Sequence, residues 1–189
     1  MYFKKAEEKY YKYLSPYKPL VVRLDAVEAT KSHQHHLVPC DRQTDNFMEA
    51  LIDTAKQLSE EYHCSAFAST DEINLIFPIA PVTTRQKKLN VMKVGSIVVQ
   101  NTFMVFNSIF QGERIFFDAK VFHIPHGKQE DYLQYRKKMC ENTAIHYLAK
   151  DYFPAYMRAG KKLEDLKLLL KQNGIPIPGY ATNGRTFYN

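Results

Sequence analysis

Three carboxylates stand where apolar strands would end or turn. Asp25 closes the run PLVVRLD (19–25), and Asp71-Glu72 interrupt SAFASTDEINLIF (65–77) between two apolar halves. Convergent carboxylates with little to neutralise them call for a cation. All-oxygen ligation suits Mg²⁺, which keeps several waters and takes one or two carboxylates plus substrate phosphates. A pair of such ions can hold a triphosphate and activate an attacking oxygen. Taken alone, Asp71-Glu72 reads as an ordinary hairpin tip, where Asp bonds its own backbone. A second acid at the end of another strand opens the metal reading, and spacing alone leaves both readings standing.

The elements that would position these acids follow from periodicity. PLVVRLD is short and β-branched, as a buried strand is. Phe47, Leu51, Ala55, Leu58 and Tyr62 share one helix face, with Thr44-Asp45 as its expected N-cap. CSAFAS and INLIF read as a hairpin turning at Thr70, Asp71 and Glu72, closed by Pro78 and Pro81. A long helix is expected next, with Leu89, Met92, Ser96, Val99, Phe103 and Phe106 on one face and Phe103 and Phe106 in the core. RIFFDAKVFHI (114–124) reads as a further strand. Tyr132, Tyr135, Met139 and Ala149 suggest another helix. A final helix is expected over 161–173, stopped by Asn173-Gly174, with an extended or loose tail after it. Residues 3–13 read as a short Lys- and Tyr-rich helix, and 26–41 as a loop. The order strand, helix, hairpin, helix, strand makes the first two strands run the same way, so Asp25 and Asp71 meet at one sheet edge. The fold class expected is α+β, a ferredoxin-like βαββαβ palm, with an antiparallel-containing sheet and helices packed on one face.

The 189 residues amount to one domain, and 45% hydrophobic with 24% charged residues fits a globular chain rather than a disordered one. A net charge of +6 favours polyanionic partners. Cys40, Cys64 and Cys140 form no CxxC pair, which argues against a disulfide framework or thiolate zinc site and fits a reducing cytosol. With no long apolar run and no signal-peptide pattern at the start, the chain reads as intracellular and without a membrane partner.

Five stretches resemble, in order, the tRNA-His guanylyltransferase family and its bacterial and archaeal tRNA-repair branch. VVRLDA resembles the family's Val-Val-Arg-Ile/Leu-Asp-Gly, and VPCD resembles Lys-Pro-Asn-Asp. AFASTDEINLIF resembles Ala-Tyr-Gly-Gln-Ser-Asp-Glu-Tyr-Ser-Phe-Val-Phe. FFDAKVFHIP resembles Phe-Asp-Gly/Ala-Arg-Val with a following Pro, and DYLQYRKKMCEN resembles Asp-Tyr-Leu-x-Trp-Arg-Gln. Together they span about residues 19–150. The resemblance implies a polymerase-like palm and Mg²⁺-dependent addition of nucleotides to the 5′ end of tRNA, the reverse of usual polymerisation. It implies two Mg²⁺ held by Asp25, the carbonyl of Ala26 and Asp71, with Glu72 beside them as a catalytic carboxylate. ATP or GTP would be substrates, and tRNA and nucleoside triphosphates the partners. A homo-oligomer, dimer or tetramer, is a further implication. Arg23, Lys31, Asp41 and Thr70 are the nucleotide-binding candidates, and Arg85, Lys88, Lys120 and Arg136 the RNA-phosphate candidates. Residues 1–150 would form the palm, with 151–189 a helix and tail of the same domain.

The chain departs from the family pattern beside Asp25. Ala26-Val27-Glu28-Ala29 replaces Gly-Lys/Arg-x-Phe, so the close backbone approach that Gly permits is lost and Glu28 would repel a triphosphate. Val38 replaces the Lys of the Lys-Pro motif, and Lys120 replaces an Arg, keeping charge but losing the bidentate fork. Two alternatives therefore stand beside the tRNA reading: a palm that joins or cyclises nucleotides without RNA, and a catalytically silent tRNA- or nucleotide-binding relative. His33, His35 and His36 read as a solvated loop rather than a zinc site, with phosphate contact as the alternative. Arg85, Lys87, Lys88 and Lys93 suit either a solvated helix face or RNA phosphates.

Overall fold

The computed structural model describes residues 13–27, 42–79, 89–177, 179 and 184–189. Along the chain run β1 (Tyr13–Leu14), β2 (Leu20–Ala26), α1 (Arg42–Tyr62), β3 (Ser65–Ser69), β4 (Glu72–Phe77), β5 (Leu89–Asn90), α2 (Val91–Ile109), β6 (Phe117–His123), α3 (Gln129–Tyr152), α4 (Ala155–Arg158), α5 (Leu163–Gln172) and β7 (Arg185–Phe187). Five strands form one sheet in the order β6-β2-β4-β3-β7, every neighbouring pair antiparallel. Its first four strands carry the 4-1-3-2 order of a βαββαβ unit. Because β2 and β3 both pair antiparallel with β4, they run the same way, and the end of β2 meets the β3–β4 turn.

Alternation sets the two faces of the sheet. Leu20, Val22, Leu24, Ile73, Leu75 and Phe77 point to the face that α1 and α2 cover. From α1 come Phe47, Leu51, Ala55 and Leu58, all fully buried, as their spacing requires. Phe106 binds the layers together: its ring lies 5.4 Å from Phe47 on α1 and 5.3 Å from Phe117 on β6, edge-on to both. The helix starts at Arg42, so Thr44 lies inside its first turn and not at the cap; an apolar period locates a helix face better than its end.

The opposite face is not bare. Val21, Phe67 and Ile76 point to it and pack against Leu133 and Cys140 of α3. Helices thus cover both faces: the two crossover helices share one, as the topology demands, and α3 takes the other. α3 then runs unbroken past residue 150, and its C-terminal half packs with α4 and α5 around Ile145, Leu148, Leu166 and Leu170, away from the sheet. α5 ends in a Schellman motif. Ile175 N–H donates to Leu170 O at 3.0 Å, Gly174 N–H donates to Lys171 O at 3.1 Å, and Gly174 takes φ +68°.

Three expectations change. The buried face of α2 is Gly95, Val98, Thr102 and Phe106, so Phe106 holds, Val99 and Phe103 lie at its half-buried margin, Met92 and Ser96 are exposed, and Leu89 belongs to β5. Gly95 carries the reason: a Cβ there would stand 3.3 Å from Val121 Cγ2, so α2 lies against β6 on its smallest residue. Thr102 is tolerated in the core because its hydroxyl donates to Val98 O at 2.7 Å. β6 begins at Phe117 rather than Arg114, since the Asn107 amide takes both backbone groups of Ile115, each at 2.9 Å. The tail supplies β7, which pairs with β3 at the sheet edge. The helix expected over 3–13 lies outside the described residues except for Tyr13, which is in β1.

Candidate active site

β2 is wedged between β4 and β6, and its register fixes a row of acids. Asp25 faces Glu72 on β4 and Asp118 on β6. Neighbouring strands stand about 4.8 Å apart, and like charges directly opposed repel. Cations on the same face offset the row. Arg23, two residues before Asp25, donates from Nε and Nη2 to Asp25 Oδ2 at 3.1 and 2.9 Å. Lys120, the cross-strand partner of Arg23, reaches the same oxygen at 3.2 Å. Arg23 and Lys120 therefore flank the carboxylate expected to hold metal.

The β3–β4 loop has two residues, Thr70 and Asp71, because Ser69 pairs with Glu72. Thr70 takes φ +56°, a left-handed conformation that costs a β-branched residue energy and that the surrounding contacts must hold. Ala26 N–H donates to Asp71 O at 2.8 Å, fastening the turn to the end of β2. Asp25, Ala26 and Asp71 are thus brought to one edge. Thr70 Oγ1 lies 2.7 Å from Ser69 O and 3.1 Å from Asp71 Oδ1. Burial raises the Asp71 pKa, the Thr70 bond opposes that rise, and the charges of Glu72 and Asp25 add to it. No described cation pairs with Asp71. A half-buried carboxylate with two anions beside it suits a divalent cation. Asp25, the Ala26 carbonyl and Asp71 would supply the ligands.

Glu72 behaves differently. It is 4% exposed, and both of its oxygens have partners. Arg136 of α3 donates from Nε to Oε1 at 3.0 Å and from Nη2 to Oε2. Asn74 Nδ2 adds 2.8 Å to Oε1 and Cys140 Sγ 3.4 Å, while Tyr132 Oη donates to Asn74 Oδ1 at 2.6 Å. Among the described residues no three of His, Cys, Asp and Glu are grouped to hold a metal, so Glu72 does not complete a three-acid site with Asp25 and Asp71. Oε1 is crowded by three donors, and Oε2 is held by the guanidinium. Arg136 is likewise not the surface phosphate ligand expected. Its side chain is 11% exposed and bidentate to Glu72, and the bond and charge of Glu72 outweigh burial to hold it protonated. Lys120, at 58%, remains open to solvent beside Asp25.

Lys31, Asp41, Arg85, Lys88 and His33, His35 and His36 lie outside the described residues. The residues missed from sequence are Asn74, Asp118, Tyr132 and Cys140. A signal existed for three of them: Asn74 is a polar residue in an apolar strand, and Tyr132, Arg136 and Cys140 step by four along one helix face. Cys140 and Cys64 are buried free thiols, and burial pushes both pKa values up, Cys64 to about 12, so neither is poised as a nucleophile. A cavity of about 380 Å³ lined by Ser65, Ile76, Leu133 and Tyr188 opens at the other end of the hairpin from Asp71. Among the described residues, no helix is long and apolar enough to cross a membrane.

Sequence comparison with curated proteins returns no match. Comparison with solved structures finds a bacterial tRNAHis guanylyltransferase-like protein in complex with ATP, 20% identical, at a TM-score of 0.77, covering 100% of this chain and 87% of the other. The same kind of bacterial protein in complex with GTP gives a TM-score of 0.72 at 20% identity, covering 100% and 84%. The tRNAHis guanylyltransferase of Saccharomyces cerevisiae gives 0.71 at 16% identity, covering 94% of this chain and 88% of that one. These likenesses show the fold. The sequence model of the tRNAHis guanylyltransferase family matches residues 1–125, about two thirds of the chain, including Asp25, Asp71, Glu72 and Asp118. The chain belongs to the tRNAHis guanylyltransferase family, a family of nucleotidyltransferases.

Proposed function

We propose that this chain adds nucleotides to the 5′ end of tRNA, using a nucleoside triphosphate and Mg²⁺ held at the edge formed by Asp25, Ala26 and Asp71. The observation that carries the reading is Asp71. It is the acid of this edge with burial and two like charges against it and no described cation beside it, and the backbone bond from Ala26 holds it against the end of β2. Bound there, Mg²⁺ would polarise phosphoryl oxygens and offset the charge that builds at phosphorus.

The chain's own residues supply the rest. Arg23 and Lys120 hold Asp25 Oδ2 and so orient the carboxylate. Lys120, the more exposed of the two, is placed to exchange Asp25 for a phosphate oxygen when a triphosphate arrives. The Thr70 hydroxyl orients Asp71. Positioning and charge neutralisation are what phosphoryl transfer asks of a protein, and no nucleophilic side chain is needed. That bacterial relatives are described in complex with ATP and with GTP supports triphosphates as the substrates.

Incubation with Mg²⁺, labelled GTP or ATP and a 5′-truncated tRNA should extend the RNA, and Asp71→Asn should abolish the product. Product formed from triphosphate without RNA would point to nucleotide joining instead. RNA binding with no product under any nucleotide or tRNA would sink the reading.

A further inference from the structure

We infer that Arg136 and Glu72 are a positioning pair: α3 uses them to hold the β3–β4 turn, and with it Asp71, in the geometry that receives the metal. The assignment rests on the metal-dependent reading of the Asp25–Asp71 edge and adds residues of α3, which packs on the sheet face that carries Asp25 and Glu72.

The geometry runs in one direction. Thr70 sits in a left-handed conformation that a Thr does not choose, so the turn is held from outside. One hold is the bond from Ala26 to the Asp71 carbonyl. The other comes from α3, 64 residues along the chain, where the Arg136 fork grips the carboxylate next to Asp71. Cys140, one helical turn further, touches Glu72 as well. Tyr132, one turn before Arg136, fixes Asn74, which fixes Glu72 Oε1. Three successive turns of one helix face thus clamp the hairpin end.

The same contacts keep Glu72 off the metal. Both of its oxygens are engaged, and a divalent ion at either would compete with a guanidinium that is itself nearly buried. Glu72 is spent on orientation, which leaves Asp71 as the carboxylate of the turn with no described cation. Positioning groups of this kind act on metal affinity more than on substrate contact.

The test titrates Mn²⁺ in place of Mg²⁺, with GTP present, by electron paramagnetic resonance in wild type, Arg136→Lys and Arg136→Ala. The doubly neutral Glu72→Gln/Arg136→Met variant is included because it leaves no unpaired buried charge and keeps a folded comparison if Arg136→Ala is lost. KM for tRNA is measured alongside, and unfolding curves confirm the folded state. The pair predicts a rise of about tenfold or more in Mn²⁺ half-saturation for the alanine and double variants. Arg136→Lys should restore part of the loss, and KM for tRNA should stay within about twofold. Unchanged Mn²⁺ half-saturation in folded variants would overturn the inference, as would a loss confined to KM for tRNA, which would make Arg136 a phosphate ligand. Wild type that takes up no Mn²⁺ would instead overturn the metal site on which the inference stands.

Discussion

Asp71 and Glu72 are consecutive residues with opposite surroundings. Glu72 has an arginine fork, an amide and a thiol on its two oxygens. Asp71 has one hydroxyl, two neighbouring anions and no described cation. Glu72 is the more deeply buried of the two. Partners separate them further, and partners decide what each acid is for: the one gripped by a cation holds structure, and the one with a hydroxyl and no described cation suits a metal. The two faces of the sheet differ in the same sense. One is an apolar layer built from α1 and α2, while the other has a polar patch where α3 reaches the carboxylate edge.

The contrast can be broken from either side. The largest effect is expected at Asp71→Asn, which should cut nucleotide transfer by roughly 10³-fold or more, below detection of labelled product, the scale of losing a main transition-state stabiliser. Glu72→Gln should cost only about 10- to 100-fold, as loss of a group behind a metal ligand does. In stability the order reverses. Arg136→Ala leaves Glu72 buried and unpaired, and urea unfolding should show a loss of about 3–5 kcal/mol.

A third expectation concerns pH in chelator-treated protein. Because the folded Asp71 pKa is raised, mainly by burial, its contribution to stability is present below the ordinary carboxylate pKa and is lost as pH rises through the raised value. Asp71→Asn should therefore be more stable than wild type at neutral pH, with the difference shrinking on acidification; denaturant midpoints across a pH series check this. The smallest effect is expected at Tyr132→Phe, where losing the hydroxyl on Asn74 should cost about 1 kcal/mol in the same unfolding assay.

Much of this was legible in the sequence where the signal is local. The spacing of Phe47, Leu51, Ala55 and Leu58 fixed the α1 face, and a hairpin between CSAFAS and INLIF put its turn at Thr70-Asp71. The crossover rule placed Asp25 and Asp71 at one edge. Where the signal is weak or distant, reading failed. The face of α2 was misplaced because its core positions include Gly95 and Thr102, which carry little hydrophobic weight. β7 is three residues long and gains its strand character only by pairing with β3. Arg136 read as a surface cation because its partner lies on another element, and no local pattern announces a contact across 64 residues. The family resemblance offered Asp25, Asp71 and Glu72 together; three-dimensional partners divide them.

The most direct measurement places Asp71→Asn and Glu72→Gln side by side in transfer of labelled GTP to a 5′-truncated tRNA, with Mg²⁺ titrated in both. The account predicts no detectable product from Asp71→Asn at any Mg²⁺ concentration, and product from Glu72→Gln that recovers as Mg²⁺ is raised. Equal, metal-independent loss in both variants, or transfer that survives in Asp71→Asn, would contradict it.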